Sequence, residues 1–193
     1  MKQSLFEFPA YKYELDDWEF KKKALLNRIN KHQFIRTQYQ TFETDRQTNG
    51  KKYIHYLERF LEPTLQEFCT EAEVSCKITD ARGVKYHPGD YQGVHNHRSW
   101  GFSGILYVEF DPKVHTPASF VVPWNDPRSD RTSIMTPRDV KEGTLLITPS
   151  FALHYVNKNT SRKTRTAVAF DLLPDLPLHQ TIGVNQKELH LTQ

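Results

Sequence analysis

At Val74 the hydrophobic rhythm of this chain changes from spacings of three and four residues to strict alternation. Strand-like runs then fall at Val74–Thr79, Gly83–His87, Ser103–Phe110, Ser119–Val122, Thr132–Met135, Thr144–Thr148, Ala152–Asn157 and Thr164–Leu172. Turn formers separate them: Pro88-Gly89-Asp90, Asp111-Pro112, Asn125-Asp126-Pro127 and Glu142-Gly143. A short strand cannot bury a face alone, so a series at this spacing predicts an all-β sandwich or barrel.

The first third reads differently. Asp16 or Asp17 can cap a helix with Trp18, Leu25, Leu26 and Ile29 on one apolar side. A second helix is expected from about Tyr53, carrying Ile54, Leu57, Leu61, Leu65 and Phe68, with Pro63 kinking or restarting it. The polar stretch 41–52 contains an Asn-Gly pair and is expected as an exposed loop. The division is therefore a helical support at 1–73, a β core at 74–173 and a surface tail at 174–193, all within one domain of 193 residues.

Bulk properties exclude more than they identify. Twelve Phe, nine Tyr and three Trp supply too much burial for a disordered chain. The net charge of +3 is slight, and Lys21, Lys22 and Lys23 read as a solvated helix face, so nucleic acid is not indicated. Cys69 and Cys76, with six residues between them, are a poor match to a zinc site and read as reduced thiols. Nothing approaches the ~20 apolar residues that cross a bilayer, and the reading is a cytoplasmic protein without membrane contact.

The chemistry concentrates in HPGDYQGVHNH. His95 and His97 leave an extended segment from the same face and can chelate one divalent metal. His154, in the strand-like ALHYV, is the best third ligand, brought in from an opposite strand of a closed barrel. His32, His55, His115, His179 and His190 read as surface or structural histidines. The pair alone fits a structural role as well as a metal; His154 in its setting tips the balance to metal.

Here the sequence resembles the cupin superfamily. Gly89, five residues, then His95-Asn96-His97 follows the first cupin motif, and Gly143, Pro149 and His154 follow most of the second. Gly101 and Phe102 stand where the usual acidic ligand would be, and Phe151 where a glycine is usual.

A nearer resemblance takes in Arg165, eleven positions after His154 in TRTAVAFDLL. Alternation puts Arg165, Ala167, Ala169 and Asp171 on one face, a guanidinium beside small residues, which suits a terminal carboxylate in a cavity. The order HxH, long gap, His, then Arg is similar to the 2-oxoglutarate- and Fe(II)-dependent dioxygenases, nearest to their prolyl 4-hydroxylase-like branch. It spans about Tyr86 to Leu173.

That resemblance implies a double-stranded β-helix (jelly-roll, cupin-type) core with N-terminal helices packed on one sheet. It implies metal ligands His95, His97 and His154, and 2-oxoglutarate held by Arg165, Tyr107 and Tyr86. The cofactors would be Fe(II), 2-oxoglutarate and O2, and the reaction a substrate hydroxylation releasing succinate and CO2. The substrate, a peptidyl side chain or a small molecule, is not coded in one sequence. Trp100, Phe102 and Trp124 are candidate contacts or packing residues.

One departure matters. The usual triad has a carboxylate two residues after the first His; here it is His97. Three imidazoles leave Fe(II) with 2-oxoglutarate formally neutral. The expectation is a variant triad, with Asp90 or Asp171 as an alternative oxygen ligand. Two other readings stay open: a three-histidine cupin-type dioxygenase without 2-oxoglutarate, and a β-sandwich binding module with a relic metal site.

Overall fold

The computed structural model describes residues 9–37, 42–45, 54–126 and 129–175. The expected surface tail, with His179 and His190, lies outside these apart from Pro174 and Asp175.

Strand β1 (Tyr11–Glu14) and helix α1 (Trp18–Ile29) lead into two short strands, β2 (Ile35–Arg36) and β3 (Glu43–Thr44). Helix α2 (Ile54–Glu71) precedes the main strands β4 (Cys76–Tyr86), β5 (Gln92–His95), β6 (Phe102–Glu109) and β7 (Ser119–Asp126). The last strands are β8 (Arg131–Met135), β9 (Thr144–Pro149), β10 (His154–Val156) and β11 (Arg165–Pro174). They build a seven-stranded sheet in the order β1-β9-β6-β11-β4-β3-β2 and a four-stranded sheet in the order β5-β10-β7-β8. Every described pairing is antiparallel.

Alternation on the large sheet decides where everything else goes. Val168, Phe170 and Leu172 of β11, Leu106 and Val108 of β6, and Leu145 and Ile147 of β9 point to one side. There they bury Leu25 and Ile29 of α1 and Leu57, Leu61 and Phe68 of α2, so both helices cover one face of this sheet, as expected. Gly104 makes the packing possible, because a Cβ there would meet the Phe170 ring at 2.2 Å. The opposite face of β11, carrying Arg165, Ala167, Ala169 and Asp171, lines a cavity shared with the small sheet.

Several expectations need correcting. The runs 74–79 and 83–87 are one strand, β4, whose pairing with β11 extends from Tyr86↔Arg165 to Cys76↔Pro174. Asp80 and Arg82 looked like an interruption because β4 points them inward, toward partners in the cavity. Within the stretch read as an exposed loop, Phe42, Thr44 and Asp45 are buried, and Gly83 donates its N–H to Asp45 Oδ1 at 2.7 Å. Strand β1 was unmarked in so polar a segment; it is specified by pairing, Tyr11↔Ile147.

Helix α1 does start after Asp17, but that residue has φ 51° and makes no side-chain capping bond. Helix α2 continues through Pro63 as one element. Phe102 packs edge-on to Phe68, with ring centroids 5.0 Å apart, and is a core residue. No described helix is long and apolar enough to cross a membrane.

Candidate active site

Strands β5 and β10 are neighbours in the small sheet, with His154 directly opposite His95 in the register. The expected convergence therefore arises between adjacent strands of one sheet and not across a barrel, because antiparallel pairing faces the two side chains the same way. His97 lies just beyond β5. The carbonyl of Ser150 accepts its backbone N–H at 2.9 Å, tying it to the β9–β10 turn. The ring centroids are 4.3 Å apart for His95 and His154, 5.2 Å for His97 and His154, and 5.4 Å for His95 and His97. One ligand nitrogen from each ring lies within 4.8 Å of the other two.

The outward nitrogens show which atoms face the centre. His95 Nδ1 lies 2.9 Å from Gly93 O, and His154 Nδ1 lies 2.9 Å from Ala152 O. A carbonyl only accepts, so both rings carry their proton on Nδ1 and keep Nε2 as a bare lone pair. The Gln92 amide nitrogen, 3.0 Å from His95 Nε2, donates to that lone pair.

His97 Nδ1 sits 2.7 Å from Asp171 Oδ1 and 3.0 Å from Arg82 Nη2. Arg82 can only donate and Asp171 can only accept, and the shorter contact, to Asp171, assigns the Nδ1 proton to that hydrogen bond. Burial keeps the His95 and His154 rings neutral: it is the main reason the His95 value falls, and the main reason His154 is lowered to about 3, with His95 adding to it. Burial would by itself raise Asp171, but the His97 hydrogen bond and the Arg82 charge prevail and hold it at about 2.

The other end of the cavity belongs to the large sheet. Arg165 is buried on β11, with Nη1 donating to Thr116 O and Cζ 4.5 Å from the centre of the Tyr86 ring. Its Nη2 is buried without a hydrogen-bond partner among the described residues. An orphaned guanidinium nitrogen is costly in a dry site and marks a place for an acceptor, above all a carboxylate. The Tyr107 hydroxyl accepts the N–H of Ala118 at 3.1 Å and keeps its own hydrogen to donate. Tyr86 donates to Gln92 Oε1 at 2.6 Å. Burial pushes both phenols up, Tyr107 to about 12, so they stay protonated.

The cavity between the ends has a volume of about 550 Å³, and His95, His97, His154, Tyr86, Tyr107 and Arg165 all line it. All six residues singled out in the sequence thus meet in one place. Asp90 does not: it holds the His87 N–H at 2.9 Å and pairs with Arg36, in a turn outside the cavity wall. Asp171 stands behind His97 and is not among the converging atoms. Trp100 and Trp124 are exposed and line no part of the cavity.

Sequence reasoning missed Arg82 and Gln92. Arg82 was within reach of the alternation rule, two steps of two back from Tyr86 on β4; Gln92 had no such mark.

Residues 83–171 match the family model described as "Putative 2OG-Fe(II) oxygenase". That stretch of the chain is similar to the 2OG-Fe(II) oxygenases. The solved structures the chain is similar to include the epimerase SnoN in complex with Fe3+, alpha ketoglutarate and nogalamycin RO. That likeness has a TM-score of 0.64 at 11% identity, covering 85% of this chain and 78% of that one. A Pseudomonas putida prolyl-4-hydroxylase is similar with a TM-score of 0.55 at 11% identity, covering 85% and 92%. HygX from Streptomyces hygroscopicus, with nickel and 2-oxoglutarate bound, gives 0.61 at 9% identity, covering 88% and 84%. No curated protein matches.

At such identities the structures speak to the fold, which is the mainly β double-stranded β-helix with, among the described residues, two N-terminal helices. The family's cofactors are Fe(II) and 2-oxoglutarate. The residues present fit both, with three converging imidazoles for a borderline cation and an unsatisfied buried guanidinium for a dicarboxylate.

Proposed function

We propose that this oxygenase hydroxylates a C–H bond of its substrate, with His95, His97 and His154 holding Fe(II). Arg165, assisted by Tyr107, takes the far carboxylate of 2-oxoglutarate. When bound, the metal and 2-oxoglutarate supply oxidative activation of O2, with release of succinate and CO2.

The chain's own part is binding and orientation. The carbonyls of Gly93 and Ala152 fix two ring tautomers, so Nε2 points inward before any ion arrives. Thr116 O and the Tyr86 ring brace Arg165 from behind, leaving Nη2 for the incoming acid. Ala167 and Ala169 keep open the space between, where larger side chains would stand in the path of a diacid. No side chain is needed as a general acid or base.

The observation that carries this reading is the orphaned Arg165 Nη2 in the same cavity as the three converging imidazoles. It also separates the reading from a three-histidine dioxygenase without 2-oxoglutarate, which has no use for a buried cation there. Two measurements test it: succinate formation from 2-oxoglutarate with and without Fe(II), and calorimetric binding of 2-oxoglutarate to the metal-loaded protein. Iron-dependent succinate release is expected. Oxygen uptake that proceeds equally well without 2-oxoglutarate would hand the site to the rival.

The prolyl-4-hydroxylase among the similar structures supports hydroxylation, and by analogy a peptidyl side chain as substrate.

A further inference from the structure

His97 occupies the place where the resembled triad carries its acid, so the ligand set itself lacks a negative charge. Resting on the metal reading above, we propose that Asp171 is a positioning residue that restores this charge from behind His97. It holds that ring with Nε2 toward the metal and makes it a stronger donor.

The asymmetry among the three ligands points there. His95 and His154 give their Nδ1 protons to backbone carbonyls two residues away. His97 alone gives its proton to a carboxylate, at 2.7 Å. That carboxylate is 74 residues away in sequence, on the large sheet, with only 3% of its side chain exposed. A buried carboxylate on an imidazole N–H raises the electron density at the other nitrogen.

The surroundings fix both partners. Ser103 Oγ donates to Asp171 Oδ1 at 3.3 Å and is itself 2.9 Å from Ser150 Oγ. The Ser150 carbonyl holds the His97 backbone. Arg82 lies between two carboxylates, 3.5 Å from Asp80 and 3.6 Å from Asp171. Arg82 is thus shared between two carboxylates, and Asp171 keeps an oxygen for the His97 ring.

The test is a cycle of four full-length proteins: wild type, Asp171→Asn, His97→Asp and the double variant. Each is titrated anaerobically with Co(II) and followed by its visible ligand-field absorption, with no turnover needed. Asparagine keeps the oxygen acceptor and removes the charge. In the wild-type background Asp171→Asn is expected to weaken Co(II) binding by about ten- to a hundredfold. In the His97→Asp background, where a carboxylate is itself a ligand, the same change is expected to cost less than about threefold, because the charge is already in place.

A merely structural Asp171 would lose equally in both backgrounds, and that result overturns the proposal. So does an unchanged affinity of Asp171→Asn with His97 in place. Nitrogen-15 shifts of the metal-free wild type are expected to show the Nδ1–H form of His97; an Nε2–H form overturns the proposal too. Failure of the wild type itself to bind Co(II) would remove the metal reading first and this inference with it, so the two failures are told apart.

Discussion

The two sheets of this protein are built to different standards. The large sheet is covered on its outer face by two helices, and its long strands keep pairing over many residues, ten of them in β11. The small sheet has strands as short as the three residues of β10, and its side chains stand in solvent: Val94 is 58% exposed, Ile134 54% and Met135 63%. The proposed cosubstrate end, with Arg165, Tyr86 and Tyr107, grows from the first; His95 and His154 grow from the second. A bare sheet can still present two ligands accurately, because one antiparallel pair places them and backbone carbonyls orient the rings. Global stability therefore belongs to the large sheet, and two of the three proposed metal ligands to the small one.

The largest expected effect tests that division. Phe68 is fully buried under the large sheet, and Phe68→Ala should lower unfolding stability by about 3–5 kcal/mol. Ile134→Ser on β8 should stay within about 0.5 kcal/mol. Urea denaturation of the metal-free protein measures both, and comparable losses would erase the distinction.

His154→Ala is next. It removes a proposed ligand itself, so Co(II) affinity should fall by more than the roughly hundredfold upper cost of an outer partner. Iron-dependent succinate formation should disappear with it. His154 lies over the cavity and not among the residues packed under the helices, so its loss should cost less folding stability than that of Phe68.

Legibility in the sequence followed the same division. The alternation of Arg165, Ala167, Ala169 and Asp171 was readable because β11 is long and its outer face carries Val168, Phe170 and Leu172 into the core. His95, His97 and His154 were readable because close spacing and a resembled order marked them. What escaped was set by pairing. Strand β1 depends on the edge of β9, and β3 on the edge of β4, neither visible in local periodicity. The adjacency of His95 and His154 depends on strand order, which short strands do not encode individually. The position of Asp171 behind His97 joins residues 74 apart and needed coordinates.

Arg165→Ala should separate the two ends of the cavity. Hydrogen bonds to a charged partner are worth about 1.5–3 kcal/mol, so the KM for 2-oxoglutarate should rise by about ten- to a hundredfold. Co(II) affinity should stay within about twofold, since Arg165 touches no ligand ring. Arg165→Lys keeps the charge without the planar fork and should fall between. A parallel loss of metal affinity would mean that the ends are not independent.

The smallest effect concerns the loop that supports Arg165. His115 is buried beside it, accepting the Asp111 N–H on Nδ1 at 3.1 Å. Its Nε2 donates toward Ser161 Oγ and Lys163 O, each at 3.1 Å. This set requires the neutral ring. Burial is the main reason the His115 value falls below its ordinary 6.5; the Lys163 carbonyl and Asp111 work against the fall, while Arg165 and the Lys163 ammonium add to it. A folded value below the unfolded one means that the unfolded chain takes up its proton first. The contribution is therefore complete above pH 6.5 and shrinks as the pH drops below it. Melting temperature measured from pH 8 to 5 should show this decline in the wild type and a flatter one in His115→Gln. The slope that remains in that variant belongs to the rest of the molecule, with His95 and His154 of the small sheet among its sources. If His115→Gln leaves the slope unchanged, the loop that supports Arg165 contributes none of the pH sensitivity.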